Sequence, residues 1–219
     1  ARISGPGRAA PERFDGRAGL LEVLRRPVAT HYAVVIVLAG LVFGTVFSFQ
    51  PAFALELGRA RVRGFFVAFA AAAIVVRVFF GHVPDRFGRH RVATLSLALY
   101  ALGTLALTVV HPLLLEPLGA VFGFAHGLFY PAMNAMAVTA VRRHERGRIM
   151  AIFTGAFSLG IGVTTVLGFA VERLGYPPVF LLVAATTAAA VAILAGSAEL
   201  RAVGARDDSI DGFVPAAEP

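Results

Sequence analysis

The sequence contains no cysteine and no lysine, and charged residues of either sign are scarce. Without cysteine the chain can form no disulfide, no metal thiolate and no thiol nucleophile. Charged residues make up 15% of the 219 positions and hydrophobic residues 58%, whereas soluble domains carry about a quarter charged residues. The composition is therefore that of a membrane protein. All 20 basic side chains are arginine, which, together with abundant alanine, glycine, valine and proline, suggests a GC-rich bacterial genome.

Apolar windows long enough to cross a bilayer recur along the chain, since a helix needs about 20 residues to span ~30 Å of hydrocarbon. The windows are 31–54, 64–82, 92–111, 113–140, 148–171 and 177–198. They predict an all-α bundle of six transmembrane helices over residues 28–200. The fourth window exceeds a straight crossing, so we expect its helix to tilt or to extend beyond the bilayer.

Arginine is distributed unevenly between the two ends of these windows. Clusters precede the first window and follow the second and fourth: Arg2, Arg8, Arg13, Arg17, Arg25 and Arg26; Arg86, Arg89 and Arg91; Arg142, Arg143, Arg146 and Arg148. This alternation follows the positive-inside rule and predicts a bacterial inner-membrane protein with both termini in the cytoplasm. Arg59, Arg61 and Arg63 run against the pattern. Because the net charge of +7 lies in membrane-flanking loops, no nucleic-acid partner is expected.

The two ends of the chain differ from its centre. Residues 1–27 are rich in Gly, Pro and Arg and predict a cytoplasmic linker, in which LLEVLRR could lie on the membrane surface. Residues 201–219 predict a polar, acidic tail in the cytoplasm. Since residues 1–27 lack an apolar signal segment and position 1 is not methionine, we expect no signal peptide and a chain that is part of a longer protein.

The loop GHVPDRFGRHR, residues 81–91, is more specific than a polar turn needs to be. Gly81 would let another helix approach closely, and Asp85 could face the positive N-terminal end of a neighbouring helix. Gly88 would permit the turn between two helices. The alternative is a loop that serves only to orient the chain in the membrane.

The pattern G-x-x-x-D-R-x-G-R-x-R in this loop resembles the signature loop of the major facilitator superfamily of transporters. The matching residues are Gly81, Asp85, Arg86, Gly88, Arg89 and Arg91, whereas Pro84 and His90 depart from the usual pattern. A second stretch, GFAHGLFYPAMNAMAVTAVRRHERGRIMAIFTGAFSLGIG, resembles the fourth-to-fifth helix region of bacterial efflux-permease-like members. The elements that match there are Gly123, Gly127, Tyr130, Pro131, Asn134, Arg146–Gly147, Gly160 and Gly162.

This resemblance, over roughly residues 25–200, implies the C-terminal half of a twelve-helix secondary transporter that works by alternating access. It implies no cofactor, an unidentified small-molecule substrate and a missing N-terminal half in cis or trans. It also places Arg77 in the loop network, with substrate contact as the alternative. Glu145, next to Arg146, is interpreted as a salt-bridge partner of Arg89 or Arg86, or else as a solvated loop acid. Proton coupling, if present, would use the missing half or His126.

Polar side chains also lie inside the apolar windows. His126, Tyr130 and Asn134 recur every four residues on one face, and Gln50 lies in the first window. Polar groups in lipid need partners, so these residues either line a substrate cavity or hydrogen-bond between helices, and the pattern leaves both open. Gly119, Gly123 and Gly127 form G-x-x-x-G-x-x-x-G and predict close helix packing.

Two further functions compete with transport. AHG at residues 125–127 is faintly similar to a rhomboid protease motif, but the required G-x-S-G serine ahead of the histidine is missing. No enzyme is therefore expected. A non-transporting membrane scaffold or a truncated remnant remains the alternative.

Overall fold

The computed structural model describes Arg25 and residues 27–59, 61–141 and 145–203. Nearly all of the predicted linker and acidic tail lie outside these residues. The described residues contain helices and no β-strand, which confirms the all-α fold. The helices are α1 Pro27–Glu56, α2 Arg63–Phe79, the short α3 Val83–Phe87, α4 Arg89–Leu107, α5 Leu115–Thr139, α6 Arg146–Leu174 and α7 Tyr176–Gly196. A 3₁₀ turn, Pro112–Leu114, leads into α5.

Each predicted window corresponds to one long helix, but the helices are not equivalent in length. Five of them are long and apolar enough to cross a membrane, with α5 counted from Pro112. Helix α2 has 17 residues, about 25 Å at 1.5 Å per residue, and ends before the predicted limit at residue 82. Helix α2 is therefore the shortest of the six and falls just below the length of a full crossing.

The helices pack in a closed order that differs from their order along the chain. Helix α5 packs against α2 and α4, α4 against α7, α7 against α1, and α1 against α6, while α6 returns to α5. Phenylalanine and aliphatic side chains fill the centre, and Phe65, Phe122, Phe129, Phe153 and Phe180 are fully buried. Side-chain hydrogen bonds also join helices within the described residues. The Tyr32 hydroxyl donates to the Met133 carbonyl at 2.9 Å, and His90 Nε2 lies 2.9 Å from the Leu194 carbonyl.

Candidate functional site

Two sets of glycine residues allow four of the helices to contact one another through their backbones, in two pairs. On α5, a Cβ at Gly119 or Gly123 would meet the carbonyl groups of Phe65 and Phe69 on α2. One turn further, a Cβ at Gly127 would lie 2.9 Å from Val76 Cγ1. The absence of a side chain is therefore what allows α5 to lie directly on α2.

The second line joins α1 to α6 and was not singled out as a packing surface from the sequence. A Cβ at Gly40 would meet the Phe157 carbonyl, and one at Gly160 would meet the Val37 carbonyl. A Cβ at Gly44 would lie 2.9 Å from Ile161 Cα. The signal was available, because Gly40 and Gly44 form a G-x-x-x-G pair in the first apolar window.

The four helices of these two pairs share a face of aromatic side chains, which we call the aromatic face. Its members come from α1, α2, α5 and α6, and all are partly buried: Phe43, Phe47, Phe66, Phe69, His126, Tyr130 and Phe157. Their rings form a continuous set of contacts. Ring centroids are 4.2 Å apart for Phe43 and Phe47 and 5.0 Å apart for Phe43 and His126. On the other side, the centroid distance from Tyr130 to Phe157 is 5.8 Å. Partial exposure distinguishes this face from the closed core.

His126 and Tyr130 of the predicted polar face of α5 belong to the aromatic face, and Asn134 follows Tyr130 one turn later on α5. His126 Nδ1 lies at hydrogen-bond distance, 2.8 Å, from the hydroxyl of Tyr100 on α4. The imidazole ring itself packs against the rings of Phe43 and Phe69. Asn134 donates to the Tyr130 carbonyl at 3.2 Å. Its side-chain oxygen is buried and has no hydrogen-bond partner among the described residues. The helix thus satisfies only part of the hydrogen-bonding capacity of its polar face.

Gln50 is the most enclosed of the predicted cavity residues. Its side chain is 1% exposed, and neither amide atom has a partner among the described residues. Gln50 lies seven positions after Phe43, close to two helical turns, so the two side chains lie on the same face of α1. A buried, unsatisfied amide costs about 1–3 kcal/mol, which makes Gln50 a group that would gain from a water molecule or a ligand.

The sequence signal for the other aromatic side chains was present but was not used. Phe43 and Phe47 are four residues apart, and Phe66 and Phe69 are three apart, so each pair lies on one helix face. Phenylalanine is equally common on lipid-facing surfaces. The spacing alone therefore did not show that the two pairs meet.

The signature loop forms α3 and the turn into α4. Asp85 Oδ1 accepts a hydrogen bond at 2.8 Å from Nε of Arg89, four residues later, and a terminal nitrogen of Arg89 forms an ion pair with the same oxygen at 2.8 Å. Gly88, between them, has φ 88° and ψ 121°, a conformation that a residue with a Cβ rarely adopts. Pro84 lies at the start of α3, where proline is tolerated. The Asp85 carboxylate is thus held within its own loop.

Other loop residues differ from expectation. The nearest atom to a Cβ at Gly81 is the Arg77 carbonyl at 2.8 Å, within the same chain segment. No other described helix lies within 4 Å of that position, so the expected close approach is not made within this chain. Arg77 is exposed and forms no hydrogen bond or ion pair with another described residue, so it does not join Asp85.

Glu145 and Arg146 mark the start of α6. Glu145 precedes the helix and is only 5% exposed, so it is not a solvated loop acid. Arg146 is the first residue of α6 and is exposed. A buried carboxylate beside a basic segment requires a partner, and Glu145 does interact within the structure.

An ion pair at the opposite end of the bundle was not predicted. Arg59 donates to Glu116 Oε1 at 2.6 Å, with side-chain exposures of 26% and 41%. The pair joins the α1–α2 loop to the first turn of α5. Arg59 is one of the three arginines that run against the positive-inside pattern, and here its charge is matched by a carboxylate.

Apolar helices of this length around a partly exposed aromatic and polar face are those of a multi-pass α-helical membrane protein. The chain belongs to the Major Facilitator Superfamily, whose family model matches residues 32–209. Relatives from Pseudomonas aeruginosa named as uncharacterized MFS-type transporters are 28% identical over 181 residues, which cover 82% of this chain and 44% of the relative. One from Burkholderia pseudomallei is 33% identical over 129 residues, covering 57% of this chain and 31% of the relative. The chain thus spans less than half the length of these relatives.

Proposed function

We propose that this chain forms the C-terminal six-helix half of a bacterial permease that moves a small molecule by alternating access. The aromatic face carries the proposal. It lies on the four helices that the glycine pairs bring together, it is partly exposed, and the unsatisfied polar atoms of Gln50 and Asn134 follow it along α1 and α5. Family membership supports transport of a small molecule, by efflux or by uptake.

In this proposal the aromatic face is one wall of the substrate cavity. His126, Tyr130 and Asn134 supply hydrogen bonds, and Phe43, Phe69 and Phe157 supply apolar contact area. Gln50 lies deeper on the same face of α1 as Phe43. A second six-helix half, in cis or in trans, would supply the opposite wall, since alternating access needs two bundles around a site near the midplane.

The signature loop acts in this proposal at the cytoplasmic end. The arginine-rich segments at residues 86–91 and 142–148 support the cytoplasmic orientation of that end and of both termini in a bacterial inner membrane. The Asp85–Arg89 pair and Gly88 hold α3 against α4, so the loop can move as a unit between two conformations. Proton coupling through His126 or through the second half remains part of the same proposal.

A water-filled cavity can be tested by single-cysteine labelling, because the chain has no cysteine of its own. Asn134→Cys should react with a membrane-impermeant maleimide, since a cavity residue meets water. Leu102→Cys is the matched control: each position lies five residues from the end of its helix, but Leu102 is 62% exposed on the outside of the bundle, where lipid excludes the reagent. Equal labelling at both positions would contradict the cavity.

The same assay reports orientation. With the membrane-impermeant reagent added outside the vesicles, Arg146→Cys should be labelled only in inside-out vesicles, where the cytoplasmic side faces the reagent. Gly175→Cys should be labelled only in right-side-out vesicles. Labelling of both positions from one side would overturn the proposed topology.

A further inference from the structure

An apolar groove lies on the outside of the bundle, away from the aromatic face. It runs between α4 and α5 beneath α3 and has a volume of about 400 Å³. Its walls include Val83 and Phe87 from α3, Leu95 from α4, and Phe124 and Leu128 from α5. Leu95 is 70% exposed and Phe124 is 42% exposed, so the groove is open along its length.

The length of the groove along α4 is close to the thickness of one membrane leaflet. Arg91 lies in the first turn of α4, and Leu95 and Leu99 follow it at intervals of four residues along the same wall. Eight residues of helix correspond to about 12 Å, and the hydrocarbon of one leaflet is about 15 Å thick, half of ~30 Å. The groove therefore extends from the polar end of α4 over most of the depth that an acyl chain occupies.

The polar end of the groove carries positive charge that no acid in the described residues neutralises. Arg91 lines the groove and is exposed. It forms no ion pair or hydrogen bond with another described residue. The guanidinium of Arg86 lies 5.9 Å from the ring centroid of Phe87, another lining residue. Asp85, the acid of the same loop, is held by Arg89.

We propose that this groove binds one phospholipid with an anionic headgroup. Its phosphate contacts Arg91 and Arg86, and one acyl chain lies along Leu95, Leu99 and Leu128. Arginine suits this role because its planar guanidinium binds phosphate oxygens in pairs. The aliphatic wall adds apolar contact to the charge interaction. The bound lipid would contact α3, which lies within the signature loop, and α4, which follows it, independently of what the aromatic face transports.

Fluorescence quenching can test this site, because the sequence contains no tryptophan. Leu95→Trp places a single reporter at the groove in the full 219-residue chain, reconstituted in nanodiscs of mixed phosphatidylglycerol and phosphatidylcholine. Either lipid is supplied with brominated acyl chains, which quench tryptophan on contact. We expect brominated phosphatidylglycerol to quench about fivefold more strongly per mole than brominated phosphatidylcholine, because only phosphatidylglycerol carries a net negative charge. The ratio corresponds to about 1 kcal/mol for one arginine near an anionic membrane surface.

Three further variants of the Leu95→Trp chain separate the groove from general surface charge. Arg91→Gln should reduce the quenching ratio towards one, and Arg91→Lys should retain most of it. Arg201→Gln is the matched control. It removes one exposed arginine at the same end of the bundle but beyond α7, next to the Gly196 carbonyl. It should leave the ratio unchanged, and circular dichroism should show equal helix content in all variants.

Two results would overturn the proposal. One is a quenching ratio near one in the parent Leu95→Trp chain, which would mean that the groove does not distinguish the headgroups. The other is an equal loss of the ratio in Arg91→Gln and Arg201→Gln, which would mean that the preference belongs to the whole charged surface. Neither result depends on transport, so the lipid site and the transport function fail separately.

Discussion

At the scale of single residues, the glycines of α5 matter because they have no side chain, which leaves room for the backbone of α2. Gly123 lies against the Phe69 carbonyl, whereas at Gly155 on α6 an added Cβ would have no neighbouring atom within 4 Å. The same residue type in the same kind of helix therefore has opposite steric surroundings. Only the first kind of glycine is required for helices to touch.

We expect Gly123→Ala to destabilise the bundle and Gly155→Ala to leave it intact. The added methyl group at position 123 forces α5 away from α2, and overpacking of this kind costs about 1–3 kcal/mol. At position 155 alanine meets no neighbour and should be neutral or stabilising by up to about 1 kcal/mol, because glycine is the poorer helix former. The thermal midpoint of the helical circular dichroism signal in detergent measures both. Equal midpoints for the two variants would show that the α2–α5 contact is not tight.

At the scale of elements, α3 and α4 are connected by a turn with two independent constraints. Gly88 sets the backbone at φ 88°, and the Asp85–Arg89 pair closes over it at 2.8 Å. Asp85 is 51% exposed in its side chain and Arg89 16%, so an i,i+4 pair of this kind is worth about 0.3–0.5 kcal/mol. A contribution of this size is too small to determine whether the bundle folds. It is large enough to shift the equilibrium between two conformations of the loop.

We expect Asp85→Asn to lower the turnover of the complete transporter while leaving its expression near the parental level. Loss of a fraction of a kcal/mol changes the ratio of two conformations without unfolding the helices. Glu172→Gln is the matched control. It removes an exposed acid near the C-terminal end of α6 and should transport normally. Initial rates in vesicles, normalised to protein amount, decide the question. Parental rates in Asp85→Asn would leave the loop with a role in membrane orientation only.

At the scale of the whole molecule, the aromatic face is partly exposed, and the unsatisfied polar atoms of Gln50 and Asn134 follow it along α1 and α5. In hydrocarbon such groups are costly, so the face suits an aqueous cavity closed by another bundle. The chain also spans 44% of the length of its Pseudomonas relatives. In the function proposed above, a second bundle would account for both observations.

We expect the 219-residue chain alone not to transport in liposomes under an imposed proton gradient, whichever solutes are offered from a panel. Co-expression with the six-helix half that completes the relatives' length should produce uptake or efflux, because only two bundles can alternate around one site. The measurement is solute flux with and without the second half at equal protein content. Robust flux through monomers of this chain would refute the half-transporter proposal.

The sequence by itself determined the class of the protein and the approximate limits of its helices. Hydropathy is a local property, so each apolar window could be assigned without knowing its neighbours. The G-x-x-x-G spacing on α5 and the turn at Gly88 were also readable locally, because a missing side chain and a positive φ depend on few surrounding residues. The end of α2 at Phe79 was not, since polar loop residues begin only at residue 81.

The tertiary structure alone decided which helices meet and which faces line a site. In a soluble helix, amphipathicity marks the inward side, but in a membrane the lipid-facing and core-facing sides are both apolar. Phe43 and Phe69 therefore looked no different from phenylalanines that face lipid until folding placed both rings against His126, with centroids 6.3 Å from each other. Arg59 and Glu116, 57 positions apart, likewise became partners only when the α1–α2 loop reached the start of α5.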